Sequence, residues 1–198
     1  MPLYVLDGID GCGKTTQVAR LVERLRAAGR TVRQLREPGG TTLGEQQRAI
    51  LLNPETKACA TAELFGYLQA RAQLCHEIIA PALAAGETVV LDRFYHSTLA
   101  YQAYGLGLDL AQVRAAIRLA TGGIVPDRAL WLAIDPVEAQ RRRTASRGAD
   151  DRIEARGIAY LRNVHAGFAA MAEAGELVRI DAAQPADTVA IAVWSAIG

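Results

Sequence analysis

Lysine is nearly absent from this chain: of its 22 basic side chains, 20 are arginine and only Lys14 and Lys57 are lysine. Any task that needs an ammonium falls on very few positions. Cysteine is sparse too, three in 198 residues with no C-x-x-C spacing, which argues against a disulfide framework or a zinc cluster. His76, His96 and His165 stand apart from carboxylates and cysteines at ligand spacing, so they read as structural or surface residues. No apolar run approaches the roughly 18 residues of a membrane span, and the first apolar stretch has no basic leader before it. A cytoplasmic protein without a membrane partner is expected. The formal net charge of +1 provides no field that would gather nucleic acid. The length suits one domain, 1–198.

What is present alternates. Apolar runs at Leu3–Asp7, Thr31–Leu35, Thr88–Leu91, Ala129–Ile134 and Leu177–Ile180 are separated by helical patterning. Val18, Leu21, Val22 and Leu25 form the stripe of a first helix closed by Gly29, and a longer helix is expected from Thr61 to Ala85, stopped by Gly86. This order predicts an α/β fold, a five-stranded, mostly parallel sheet with helices on both faces. Ligands of such sheets bind at the carboxyl ends of the strands. Three suggestive segments lie there.

The first, Gly8-Ile9-Asp10-Gly11-Cys12-Gly13-Lys14-Thr15, fits G-x-x-x-x-G-K-[ST] between a strand and a helix. Its glycines let backbone N–H groups turn toward phosphate oxygens, and the helix start adds its positive dipole end. Lys14 is placed to reach the β- and γ-phosphates, and the Thr15 hydroxyl to meet Mg²⁺. The second segment, Arg36-Glu37-Pro38-Gly39-Gly40-Thr41, combines charge with a fixed turn. In the third, Asp92 supplies a carboxylate at the metal position, and Arg93 a rigid guanidinium suited to phosphate.

Taken in order, Gly8–Thr16, Arg36–Thr41, Asp92-Arg93 with Ser97 through Gln102, Pro126-Asp127, and Arg147-Gly148 with Asp151 through Glu154 resemble the thymidylate kinase family over nearly the whole chain. The resemblance implies transfer of a phosphoryl group from MgATP to dTMP, with ATP and Mg²⁺ held by Gly8 to Thr16 and Asp92. It implies a homodimer as well, for which the long apolar helix could expose a stripe. In the family an aromatic ring stacks on thymine four residues before an arginine that addresses the base edge. Here those positions are Tyr67, where phenylalanine is usual, and Arg71; Phe65 is the competing ring. By the same carry-over Arg93 and Arg48 hold the acceptor phosphate near Glu37, while Ser97, Thr98 and Gln102 line the base pocket. Tyr101 lies at the sugar, and Asp10 faces the 3′-hydroxyl and the metal. For Arg48 a solvated helix position is the alternative.

One branch of the family carries a catalytic arginine inside the phosphate loop, where this chain has Gly11, and the other carries it in a lid. Thr144 to Asp151 has the small, polar composition of a lid, expected at about 143–151, with Arg147 the first choice of finger and Arg143 the second. A plain solvated basic helix is the rival for 141–156. Asp7, Ala133 and Leu106 depart from the family pattern, where glutamate, aspartate and arginine are frequent. A kinase for dUMP or dCMP, or a weakly catalytic nucleotide-binding paralogue, stays open on sequence alone. A switch GTPase does not fit, because the chain has no N-K-x-D, and Arg93 stands where an assembly ATPase usually has a second acid.

Overall fold

The computed structural model describes residues 1–146 and 152–198. β1 (Leu3–Asp7), β2 (Val32–Arg36), β3 (Thr88–Asp92), β4 (Arg128–Ala133) and β5 (Val178–Asp181) form one parallel sheet in the order β2-β3-β1-β4-β5. Each strand falls within one residue of its expected bounds. In β1, β3 and β4 consecutive residues are buried although their side chains point to opposite sides, so both faces of the sheet are covered. The edge strand β2 instead exposes Arg33, Gln34 and Arg36, charge and polarity that discourage pairing with another chain.

The helices are α1 (Lys14–Ala27), α2 (Thr42–Leu52), α3 (Ala60–Leu74), α4 (Ala80–Ala84), α5 (Tyr95–Thr98), α6 (Leu110–Thr121), α7 (Pro136–Ser146), α8 (Gly157–Glu173) and α9 (Ala186–Ile197). The single helix expected from Thr61 to Ala85 is corrected: α3 and α4 are joined by a wide π-helical turn at Cys75–Ile79. Pro81 explains the interruption, since it has no N–H to continue the ladder and the chain widens just before it. A second π-helical stretch, Leu99–Gly105, follows α5. Nor does α3 expose the expected apolar stripe, because Phe65 is its one strongly exposed large apolar side chain among the described residues.

The strands end level. Leu6 of β1 pairs with Asp92 of β3, which pairs with Arg36 of β2. Beyond those ends the ladder continues for one more bond on each side: Glu37 donates its N–H to the Asp92 carbonyl (3.0 Å) and Arg93 to that of Leu6 (3.0 Å). Segments distant in sequence are thereby fixed at one sheet edge. Among the described residues no helix is long and apolar enough to cross a membrane.

Candidate active site

A cleft of about 950 Å³ opens at this edge, lined by the phosphate-loop pattern, the turn after β2, α3 and the residues after β3. Gly8, Gly11 and Gly13 hold φ of 144°, 87° and 93°, a region that side chains disfavour. Gly11 is doubly constrained, because a Cβ there would lie 2.1 Å from the Ala139 carbonyl oxygen of α7. Gly13 begins α1 without a side-chain cap, and no acidic residue occupies the first turn. By contrast the N–H groups starting α2 and α6 are capped by Thr41 and Asp109. The start of α1 is thus left open to an anion.

Lys14 is buried with its ammonium folded over the loop, donating to the carbonyls of Gly8 (3.0 Å) and Ile9 (3.1 Å) and lying 3.4 Å from Asp10 Oδ1. Cys12 is buried beneath it, and burial pushes its thiol up. Thr15 Oγ1 donates to Asp92 Oδ2 at 3.2 Å. That hydroxyl and carboxylate, both hard oxygen donors beside the phosphate loop, fit Mg²⁺, which keeps several waters and takes few protein ligands. Thr16 lines the same wall.

Arg93 joins the loop to the rest of the cleft. Its guanidinium donates to the Gly8 carbonyl (2.8 Å), Ser97 Oγ (2.9 Å) and Asp10 Oδ1 (2.7 Å), and it lies over the Tyr101 ring at 5.3 Å. Burial works against the Asp10 charge, yet Arg93 and Lys14 hold its carboxyl well below the usual carboxylate range. Arg93 has φ 71°, uncommon for any side-chain-bearing residue. Asp7 helps to hold that conformation: fully buried at the end of β1, it accepts the N–H of Phe94 (3.2 Å) and the hydroxyl of Ser97. Burial raises the Asp7 carboxyl above its ordinary value. Sequence reasoning marked Asp7 only as a departure from a pattern.

On the other side Arg71, buried, donates Nε to Glu37 Oε2 (2.8 Å) and Nη1 to Thr98 Oγ1 (2.7 Å). Burial raises the Glu37 carboxyl, against the pull of Arg71, and its Oε1 takes no hydrogen bond from the described residues. Tyr67 is half-buried and lines the cleft, whereas Phe65 is 60 % exposed and does not. Arg48 also lines the cleft and donates to the Pro38 carbonyl at 3.0 Å. It is not a wholly solvated residue.

Glu63 was missed by sequence reasoning. Fully buried, it accepts from Gln102 Nε2 (3.0 Å), pairs with Arg152 (2.6 Å) and binds Arg156 through two bonds (3.1 and 2.5 Å). Burial opposes its ionisation, and Arg156, Gln102 and Arg152 together overcome that and lower its pKa. The available signal was spacing, since Glu63, Tyr67 and Arg71 recur every four residues on one face of α3. Arg152 also donates Nε to the Leu51 carbonyl at 2.8 Å, tying the segment after residue 151 to the end of α2.

The basic run resolves into separate tasks. Arg141 is exposed and pairs with Glu138, while Arg142 donates to the carbonyls of Ala182 (2.9 Å) and Ala183 (3.2 Å). Arg143 is buried and lines the cleft. Arg147 and the rest of the expected lid to residue 151 lie outside the described residues. Ala133 is buried at the end of β4 and Leu106 packs on the core, so neither departure adds a polar group to the cleft.

A family model described as Thymidylate kinase matches residues 6–193. The chain belongs to the thymidylate kinase family. A protein named thymidylate kinase from Synechococcus sp. is 47 % identical over 192 residues, covering 93 % of this chain and 90 % of the relative. Relatives with the same name from Solidesulfovibrio magneticus and Deinococcus radiodurans are 44 % and 42 % identical, each covering 97 % of this chain and 96 % and 94 % of the relatives. That match spans the phosphate-loop pattern, the residues of α3 and those after β3 that line the cleft, and the Glu63 cluster together.

Proposed function

We infer that this chain transfers the γ-phosphoryl of MgATP to dTMP, giving dTDP and ADP. The observation that carries the reading is Arg93, whose guanidinium touches the phosphate loop at Gly8 and Asp10 and, through Ser97, the wall of the acceptor pocket. One cation thus stands between the two substrates.

In this reading the loop N–H groups and the start of α1 hold the β- and γ-phosphates, and Lys14 leaves the Gly8 and Ile9 carbonyls to meet them. Thr15 and Asp92 would hold Mg²⁺, which would supply positive charge to offset that of the phosphate chain. Tyr67 stacks on thymine, Arg71 and Gln102 address its edge, Thr98 fixes Arg71, and Tyr101 lies at the sugar. Arg48 and Arg93 orient the acceptor phosphate, with Glu37 holding Arg71 in place. An oxygen of that phosphate attacks the γ-phosphorus, and the bond to the bridging oxygen breaks to release ADP. Arg143 and Arg147 are our candidates for following the transferred charge, on a lid at about 143–151 of a single domain. We also infer a cytoplasmic homodimer, on the family resemblance.

A coupled assay with dTMP, dUMP, dCMP and dGMP tests the reading. The expected order is dTMP first and dUMP about 10- to 200-fold behind it, since one methyl group is worth only about 1–3 kcal/mol. Equal use of dCMP or dGMP refutes it.

A further inference from the structure

The Glu63 cluster answers a question that the base pocket raises. Gln102 lines the cleft, and a glutamine amide can present either an acceptor or two donors to a ligand. Glu63 removes the choice. An ionised carboxylate only accepts, so the group that Gln102 gives to Glu63 at 3.0 Å is its Nε2. Arg152 at 2.6 Å and Arg156 at 2.5 Å keep that carboxylate charged in a site with no solvent exposure. The side-chain carbonyl of Gln102 takes no hydrogen bond from the described residues and is left for the cleft. Thymine offers a ring N–H at position 3, whereas cytosine offers a lone pair there.

We propose that Glu63 is a positioning residue that sets acceptor specificity, by locking the Gln102 amide so that its carbonyl selects a base with a ring N–H. This rests on the reading of the cleft as a dTMP site. Arg71 remains a second, independent reader, so loss of the lock narrows discrimination without abolishing it.

Steady-state kinetics of Glu63→Gln, Gln102→Leu and the double variant test it. Glu63→Gln lets residue 63 donate as well as accept, which frees the Gln102 amide to turn. Its KM for dTMP should rise about tenfold, the size of one lost oriented hydrogen bond, and the dTMP:dCMP ratio of kcat/KM should fall about as much. Neither kcat nor the KM for ATP should move by more than about threefold. In the Gln102→Leu background the Glu63 change should add nothing. An unaltered KM and ratio in Glu63→Gln, or full additivity with Gln102→Leu, overturns the proposal. Should Glu63→Gln fail to fold, hydrogen exchange of the Gln102 side-chain amide in ¹⁵N-labelled wild-type enzyme decides. Protection with and without dTMP supports the lock, and exchange as fast as an exposed glutamine refutes it. A wild type that uses dTMP and dCMP equally brings down both this inference and the proposed function. A dTMP-selective wild type with an indifferent Glu63→Gln brings down this one alone.

Discussion

In the proposed reading Lys14 spends its charge on its own loop until a phosphate arrives. The contacts to the Gly8 and Ile9 carbonyls preform its position, so removing it takes away transition-state charge compensation more than it disturbs folding. Lys14→Ala should lower kcat by about 10²-fold or more with an unaltered circular dichroism spectrum. His96 carries a prediction of a different kind. Burial, together with the charges of Arg71 and Arg114, pushes its imidazole down to about 3. The unfolded chain would protonate it near pH 6.5. Because the folded value is the lower one, stability is full above about pH 6.5 and is lost toward pH 3, at up to about 1.4 kcal/mol per pH unit. Urea denaturation of wild type and His96→Gln at about pH 7.5 and 5 should show the wild type losing more of its stability on acidification.

Elements constrain where an arginine can stand. The loop and α7 touch so closely at Gly11 that a Cβ there meets the Ala139 carbonyl oxygen at 2.1 Å, on a backbone with φ 87°. Gly11→Arg should therefore not transplant the catalytic arginine of the other family branch. We expect it to lower Tm by about 5 °C or more and to give no gain in kcat over an Arg143→Ala background, read by calorimetry and the coupled assay. Strand ends were legible because short apolar runs bounded by glycine and charge have few ways to pack. The π-helical turn at Cys75–Ile79 was not, since helical periodicity continues across it and Pro81 alone betrays the break.

At the scale of the whole molecule, the phosphate loop, Glu37 and Arg93 could be read from sequence because each sits in a local motif at the end of a strand. The Glu63 cluster could not, as Arg156 lies 93 positions away from it and nothing local links the two. Quaternary structure is similarly remote from local pattern. Among exposed large apolar side chains, Phe65 and Ile50 lie on α3 and α2, and Leu119 on α6. A homodimer in sedimentation at micromolar concentration is the expected outcome, and an active monomer refutes it. The scarcity of lysine gives the buried ammonium of the loop one more consequence. Lys57 is exposed and absent from the cleft lining, while Lys14 is only 6 % exposed. An acylating reagent free in solution should mark Lys57 and the amino terminus. One delivered on an adenine nucleotide has a single side-chain amine within reach, so the count of labelled peptides would report directly how much of a preparation binds ATP.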